Sequence, residues 1–208
     1  MGGNPGLKVR QIEVGSMQNF VYVLSDEATR EAMAIDSGWE ILPITKVVSE
    51  QKYRVRYVIA THQHFDHTET IGQLAMKLGG ELLAHESSPI KCDRRVSDGQ
   101  EIEIGDHAVR VIHTPGHTED SICIYDGRDL FTGDTLFVDA WGRTDLPGGS
   151  AEKLYHSIHD KIMTLPQETV IYPGHDYGDV PFRTLADEAK SNPVLLAKSV
   201  EEFLRTNS

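Results

Sequence analysis

A short segment of the chain, residues 61–67, carries four side chains that commonly bind metal ions. They are His62, His64, Asp66 and His67. The apolar stretch 57–60 comes directly before them and is typical of a buried strand that ends where a loop opens to solvent. Neutral imidazole and carboxylate oxygens are good ligands for zinc, iron and manganese. Because these groups would otherwise compete for partners in one loop, the cluster indicates a divalent metal site rather than a solvated polar loop.

Similar ligand types follow three later strand-like runs. Each run is short and rich in β-branched or aromatic residues, and a Gly or Pro-Gly turn comes after it. Glycine lets the backbone turn sharply, so that the next side chain can point to a common centre above the strand ends. The residues that follow these turns are His117, Asp134 and His175. Any one of them could be an ordinary polar loop residue, but together with the first cluster they predict a shared site.

The complete set of seven side chains resembles the ligand set of the metallo-β-lactamase superfamily. Within that superfamily the chain is most similar to the glyoxalase II and persulfide dioxygenase branch. Residues 131–137 resemble glyoxalase II, whereas residues 142–145 and 171–177 resemble persulfide dioxygenases. The resemblance implies an α/β fold, an αβ/βα four-layer sandwich with two mixed sheets between outer helices and the metals at one edge.

Length, composition and charge narrow the classes of protein to consider. A chain of 208 residues with 39% hydrophobic and 25% charged residues predicts one domain over 1–208. The net charge of −12 and the scattered basic residues argue against a nucleic-acid partner. No segment has the pattern of a membrane span or a secretory signal, so a cytoplasmic location is expected. The partner is expected to be a small molecule, and the sequence does not predict an oligomeric state.

The resemblance implies a binuclear arrangement as the main hypothesis. His62, His64 and His117 would hold one metal, Asp66, His67 and His175 a second, and Asp134 would bridge them. Zinc is the expected metal, with iron or manganese as alternatives. A hydroxide between two such ions is nucleophilic at neutral pH. The main hypothesis is therefore a glyoxalase II-like hydrolase of a small ester or thioester, with Asp66 and Asp134 as catalytic residues.

A subset of the same residues suggests a different reaction as the alternative. His62, His117 and Asp134 form the two-histidine, one-carboxylate set of mononuclear iron(II) oxygenases. Persulfide dioxygenases of this branch resemble that usage, with a glutathione-linked substrate. Arg143 and Tyr177 match positions that the family uses around the iron and the substrate, and are the predicted substrate-binding residues. A structural ion pair for Arg143 and simple packing for Tyr177 are the competing interpretations.

Hydrophobic periodicity predicts the elements that position these residues. Strands are expected over 8–14, 20–24 and 31–35, and a helix over 41–51. A helix over 69–78 should follow the histidine cluster, before a strand over 100–104. Ser150 is expected to cap a helix that runs to about residue 164. A last helix is expected over 194–205, after Asn192-Pro193.

Overall fold

The computed structural model describes residues 6–206, and the outermost residues of the single predicted domain lie outside this range. The first sheet has six strands in the order in which they occur along the chain. The first two pairs of neighbours are antiparallel and the last three are parallel, so the sheet is mixed. Its strands are β1 (Lys8–Val14), β2 (Asn19–Ser25), β3 (Glu31–Ile35), β4 (Arg54–Ile59), β5 (Glu81–His85) and β6 (Arg94–Val96).

The second sheet also has six strands, in the order β14-β13-β10-β9-β8-β7. Only the β10–β13 pair is parallel, so this sheet is mixed as well. A small separate hairpin follows β10 and is made of β11 (Leu136–Phe137) and β12 (Ala140–Trp141). The strands of the sheet are β7 (Glu101–Ile104), β8 (His107–His113), β9 (Ile122–Tyr125), β10 (Asp129–Gly133), β13 (Val170–Pro173) and β14 (Arg183–Thr184).

Helices cover the outer faces of both sheets. The first sheet is covered by α1 (Leu42–Gln51) and α3 (Ile71–Leu78), with the short α2 (Phe65–Thr68) before α3. The second sheet is covered by α4 (Ala151–Asp160), α5 (Leu185–Ser191), α6 (Pro193–Leu196) and α7 (Val200–Thr206). Within residues 6–206, no helix is long and apolar enough to cross a bilayer.

Three groups of buried side chains hold these layers together. The inner faces of the two sheets meet in one cluster, in which Phe131 of β10 is fully buried and contacts Tyr22 of β2 edge-on. A second cluster lies between the first sheet and its helices, and a third lies between the second sheet and its helices. The order of layers is therefore helix, sheet, sheet, helix, which confirms the αβ/βα sandwich.

Most predicted elements occur, but two predicted helices are interrupted. The helix that Ser150 caps ends at Asp160, and a separate short 3-10 turn, Ile162–Thr164, follows it. The backbone of Lys161 leaves the helical conformation, with φ −122° and ψ −58°, and its ammonium group contacts Asp98 and the carbonyl of His113. The last predicted helix is split into α6 and α7, because Ser199 starts a new helix. Its hydroxyl accepts a hydrogen bond from the Glu202 N–H.

Candidate metal centre

The predicted ligands meet at one edge of the sandwich, where strands from both sheets end. The loop after β4 and the start of α2 supply the first cluster from one sheet. Loops after β8, β10 and β13 supply the remaining ligands from the other sheet. Nitrogen and oxygen atoms of these side chains form three overlapping groups in which all atoms lie within 4.8 Å of one another. The groups are His62, His64 and His117; His62, His67 and Asp134; and Asp66, His67 and His175.

Asp134 lies at the centre of this arrangement. One carboxylate oxygen, Oδ2, is 3.5 Å from His117 Nε2 and 3.4 Å from His175 Nε2. The other oxygen, Oδ1, is 3.2 Å from His67 Nε2. The same carboxylate therefore contacts both predicted halves of the site, as a bridging or shared ligand would. All seven predicted positions are brought together.

The backbone approaches this carboxylate closely at Gly174. A Cβ atom built on Gly174 would lie 2.4 Å from Asp134 Oδ1. A side chain at this position would therefore displace the carboxylate. The Pro-Gly turn seen in the sequence is needed here for close approach.

Hydrogen bonds at the back of the imidazole rings orient most of the histidines. His67 Nδ1 donates to Asp36 (2.9 Å), His117 Nδ1 to the Arg143 carbonyl (2.7 Å), and His175 Nδ1 to the Met17 carbonyl (2.9 Å). Each of these bonds directs Nε2 to the centre and makes it the free acceptor when the ring is neutral, which is how protein histidines are held as metal ligands. His64 is the exception, since its Nδ1 is the inward atom, 2.9 Å from His117 Nε2.

Two residues that the sequence analysis did not single out complete the site. Asp36 is buried and accepts hydrogen bonds from the backbone N–H (2.8 Å) and hydroxyl (2.8 Å) of Thr61, as well as from His67. The Asn19 amide donates to Asp66 Oδ2 at 2.9 Å. Asp36 directly follows β3 in an Asp-Ser-Gly turn, so the same strand-then-turn pattern that identified the ligands could have indicated it.

Burial and mutual attraction shift the pKa values within the cluster. Burial alone would raise the pKa of Asp134, but the His67 charge and hydrogen bonds from His175 and His67 hold it well below its usual range. Burial lowers the pKa of His62 well below its usual range, and the His67 charge adds to that effect. Burial also works against protonation of His175, yet hydrogen bonds to Asp134 and Asp66 raise its pKa to about 9. The carboxylates are thus ionised and His62 is neutral, the states in which these groups bind metal.

An unpaired ring nitrogen shows that the residues fit a cation. His62 is almost fully buried, and its Nε2 has no hydrogen-bond partner among the described residues. Its Nδ1 lies 3.1 Å from the Thr61 hydroxyl, which leaves Nε2 as the free acceptor. A buried nitrogen without a partner is costly unless an ion coordinates it. The donor set therefore suits a divalent metal.

A cavity of about 430 Å³ opens directly onto the cluster. Both predicted substrate-binding residues line it. The Tyr177 ring stacks on His175, with ring centres 4.6 Å apart. The Arg143 guanidinium makes two hydrogen bonds of 2.7 Å to Asp145. The remaining lining includes Met17, Phe65, Phe137, Ala140, Trp141 and Leu146, which the sequence analysis did not predict as site residues.

Comparison with characterised proteins distinguishes between the two reactions considered above. The human mitochondrial persulfide dioxygenase ETHE1 is 36% identical to the chain, in an alignment that covers 98% of the chain and 82% of the human protein. The crystal structure of ETHE1 from Myxococcus xanthus has a TM-score of 0.91 and 35% identity, and covers 96% of the chain and 89% of that structure. A hydroxyacylglutathione hydrolase from Pseudoalteromonas translucida is 31% identical over 97% of the chain and 78% of its own length.

These similarities show that the main functional hypothesis was wrong. The chain was expected to be a glyoxalase II-like hydrolase, but the relatives at 34–36% identity over nearly its full length are persulfide dioxygenases. The error has a physical origin. The ligand residues are the same in both hypotheses, so the metal-binding motifs could not distinguish between them.

The family is established independently of the reaction. A model of the metallo-beta-lactamase superfamily matches residues 14–175, a range that includes every predicted ligand. The His/Asp cluster and this match together support the use of a divalent metal. The chain therefore belongs to the metallo-beta-lactamase superfamily, and its relatives support an enzymatic function.

Proposed function

We propose that the chain is a persulfide dioxygenase that uses one iron(II) ion. In this reaction an organic persulfide, dioxygen and water give a thiol, sulfite and two protons (R–S–SH + O2 + H2O → R–SH + SO3²⁻ + 2H⁺). The outer sulfur is oxidised by four electrons, which reduce dioxygen, and the S–S bond is broken. The observation that carries the proposal is the similarity to persulfide dioxygenases over nearly the whole chain and fold.

The proposed iron ligands are His62, His117 and Asp134. The inward atoms of the two histidines lie 3.9 and 3.5 Å from Asp134 Oδ2. Two neutral imidazoles and one carboxylate on one face are the ligand set of non-haem iron(II) oxygenases, which leaves other positions open. Iron(II) in such a site supplies the one-electron redox chemistry that allows dioxygen to react with a closed-shell sulfur compound.

The other predicted ligands would then hold the carboxylate of Asp134 in position. His67 and His175 each contact Asp134, at 3.2 and 3.4 Å, and fix its carboxylate. Asp66 contacts His175 Nε2 at 3.3 Å and is itself held by Asn19. Because these groups hold Asp134 in place before substrate enters, little rearrangement is needed when substrate binds.

The cavity walls would place the persulfide and keep bulk water away from it. Phe137 and Tyr177 form an edge-to-face pair, with ring centres 5.4 Å apart, beside His175. A reactive sulfur intermediate is protected from side reactions when aromatic walls exclude water. The backbone carbonyl of Arg143 meanwhile positions His117, so this residue supports the site even without a contact from its side chain to substrate.

Oxygen uptake by iron-loaded protein tests the proposal. Protein prepared without metal is loaded anaerobically with iron(II) or with zinc, and then given an organic persulfide in an oxygen-electrode cell. We expect uptake only in the iron form, one sulfite and one thiol formed per dioxygen consumed, and one iron bound per chain. If iron-loaded protein consumes no oxygen with any persulfide, while the zinc form cleaves thioesters, the proposed function is wrong.

A further inference from the structure

Two of the proposed iron ligands lie in short loops of the second sheet, and each loop is closed by its own backbone hydrogen bond. His117 lies in the loop between β8 and β9, where the N–H of Thr114 donates at 2.8 Å to the carbonyl that precedes β9. Asp134 lies in the turn after β10, where the N–H of Thr135 donates at 3.0 Å to a carbonyl of β10. Each closure shapes one loop, but neither sets the distance between the two loops.

A hydrogen bond between two buried hydroxyl groups joins these loops. Thr114 Oγ1 lies 2.9 Å from Thr135 Oγ1, and both side chains are fully buried. Thr135 directly follows Asp134, and Thr114 comes three residues before His117. The Thr114–Thr135 pair therefore connects the backbone near one ligand to the backbone next to the other.

The backbone between Thr114 and His117 is rigid enough to transmit this constraint. Pro115 has a restricted φ, and its carbonyl accepts a hydrogen bond of 2.6 Å from the hydroxyl of Ser157 in α4. Gly116 packs directly on the backbone of the same helix, where an added Cβ would lie 2.3 Å from a backbone nitrogen. A displacement of Thr114 would therefore be passed on to His117.

The thiol of Cys123 completes the polar group behind the ligands. Cys123 is fully buried in β9, and its Sγ lies 3.4 Å from Thr114 Oγ1 and 3.7 Å from the carbonyl oxygen of Thr132. Burial raises the pKa of this thiol to about 11, so it stays protonated and donates to that carbonyl. Hydrogen bonds in such buried surroundings are costly to leave unmade, which makes the Thr114–Thr135 pair a firm link.

We propose that the Thr114–Thr135 pair sets the separation of His117 and Asp134 and so prepares these two side chains to bind one metal ion. His117 Nε2 and Asp134 Oδ2 are 3.5 Å apart, which allows both atoms to reach the same ion. The inference rests on the proposed function in taking both residues as ligands of one metal. The two threonines act through the ligands and are therefore positioning residues.

Valine and serine replacements separate the hydrogen bond from the packing of the two threonines. Valine keeps the shape of threonine and removes the hydroxyl, whereas serine keeps the hydroxyl and removes the methyl group. Thr114→Val/Thr135→Val removes both partners of the bond, so neither hydroxyl is left unpaired and the fold should be retained. Thr169→Val is the matched control, because this buried hydroxyl precedes β13, far from the ligands, and has no partner among the described residues.

Cobalt(II) titration reports on the ligands without iron, oxygen or persulfide, because the d–d absorption of bound cobalt depends on the geometry of its ligands. We expect the double valine variant to bind cobalt roughly tenfold more weakly than the wild type and to show shifted d–d bands. Its urea midpoint without metal should stay close to that of the wild type. The double serine variant and Thr169→Val should keep the wild-type affinity and bands.

Three results would overturn the inference. The first is a double valine variant with the cobalt affinity and bands of the wild type. The second is an equal loss in the double serine variant or in Thr169→Val, since the loss would then not come from the hydrogen bond. The third is a double valine variant that does not fold, since the pair would then serve the fold itself.

Oxygen uptake distinguishes failure of this inference from failure of the proposed function. In the iron-loaded double valine variant, kcat for an organic persulfide should fall roughly tenfold with KM unchanged, because the ligands shift while the cavity walls do not. If the wild type takes up no oxygen but the variant loses cobalt affinity as expected, the proposed function is wrong and the positioning role stands. If the wild type oxidises the persulfide and the variant binds cobalt as the wild type does, the proposed function stands and the positioning role is wrong.

Discussion

Asp134 is the residue on which the metal centre depends most. It is buried, it lies at the end of β10, and its carboxylate contacts histidines that come from both sheets. Asp134 thus has three features of a good anionic ligand, namely burial, ionisation and several oriented partners. The surrounding imidazoles hold its pKa well below the usual range, so it is ionised in the folded protein. Loss of this one charge should therefore affect metal binding more than loss of any exposed carboxylate.

Asp134→Asn is expected to lower the affinity for iron by at least roughly tenfold and to abolish oxygen uptake, because a neutral amide is a poorer ligand than a carboxylate. Metal analysis after dialysis against limiting iron measures the first effect. Asp160→Asn is the control, since this exposed carboxylate pairs with His156 on the surface of α4. An Asp134→Asn protein that retains full iron content and activity would contradict the assigned role.

The β11–β12 hairpin, which forms a wall of the cavity, is held in place by the helices that follow β14. Asn192, between α5 and α6, donates to the carbonyls of Phe137 and Ala140 at 3.2 and 3.1 Å. Glu188 of α5 is fully buried and accepts from the N–H of Asp139 at 2.9 Å. It also pairs with Arg183 at 3.1 Å. The position of Phe137 in the site thus depends on a carboxylate in a helix far along the chain.

Glu188→Gln is expected to destabilise the protein by about 2 kcal/mol, because it removes the charge that accepts from the N–H of Asp139 and so disturbs the hairpin. Arg183 keeps its ion pairs with Asp139 and Asp179 in this variant. The KM for the persulfide should rise more than kcat falls, since the wall moves but the ligands do not. Urea denaturation and steady-state oxygen uptake measure the two effects. Glu168→Gln, an exposed position in the loop before β13, serves as control. A loss of stability with unchanged KM would show that Glu188 does not position the cavity wall.

At the opposite end of the sandwich, Asp26 links the turns of two hairpins from different sheets. Its carboxylate accepts from the N–H groups of Ala28 (2.8 Å) and Thr29 (3.3 Å) in its own turn. It also accepts from the N–H of Asp106 (2.8 Å), in the turn between β7 and β8. The Asp106 N–H is the main reason that the pKa of Asp26 is lowered to about 2. The ionised form of Asp26 therefore stabilises the fold.

Asp26→Asn should cost about 2 kcal/mol at neutral pH, because the amide cannot accept all of these bonds. A depressed carboxyl pKa stabilises the folded state above the unfolded value of 3.8, and this stabilisation is lost as pH falls towards about 2. The difference in unfolding free energy between wild type and variant should therefore shrink between neutral pH and pH 3. Urea denaturation at both pH values measures it, with Asp106→Asn as control because it keeps the backbone donor. A difference that does not depend on pH would contradict the role of the ionised carboxylate.

Considered as a whole, the molecule carries its predicted metal ligands on two sheets that are otherwise joined by apolar packing. The first cluster follows β4 of one sheet, whereas His117, Asp134 and His175 follow strands of the other. A bound cation would therefore connect the sheets at this edge, in the same way that Asp26 connects them at the opposite end. Metal binding and global stability should be coupled for this reason.

Removal of metal by a chelator is expected to destabilise the whole domain and not only the loops. At a free iron concentration about a thousand times its dissociation constant, the loss in unfolding free energy would be roughly 4 kcal/mol. Thermal unfolding with and without chelator measures it. The Asp134→Asn protein, whose affinity for iron should be at least roughly tenfold weaker, is expected to show a shift that is smaller by at least about 1.4 kcal/mol. A wild-type protein whose unfolding temperature does not respond to chelator would contradict the coupling.

The clustering of the predicted ligands and most strands could be predicted because their signals are local. Apolar runs that end in Gly or Pro-Gly turns indicated where His117, Asp134 and His175 lie, and a family resemblance supplied the sandwich. The helix that Ser150 begins was also predicted correctly, but its end was not. The helix ends at Lys161, whose ammonium group contacts Asp98 and the carbonyl of His113, both far away in sequence. The residue pattern in a short stretch of sequence does not reveal such long-range contacts.

Features that depend on contacts between distant parts of the chain could be identified only in the folded molecule. Asp36 orients His67 across 31 residues of chain, and Asn192 holds the carbonyl of Phe137 across 55. The lining of the cavity likewise arises where several loops meet. The ligand motifs did not distinguish hydrolysis from oxygen chemistry, because identical side chains suit both reactions. Residue types and their spacing indicated that a divalent metal can bind here, whereas the packing of remote segments decides how the surroundings of that metal are shaped.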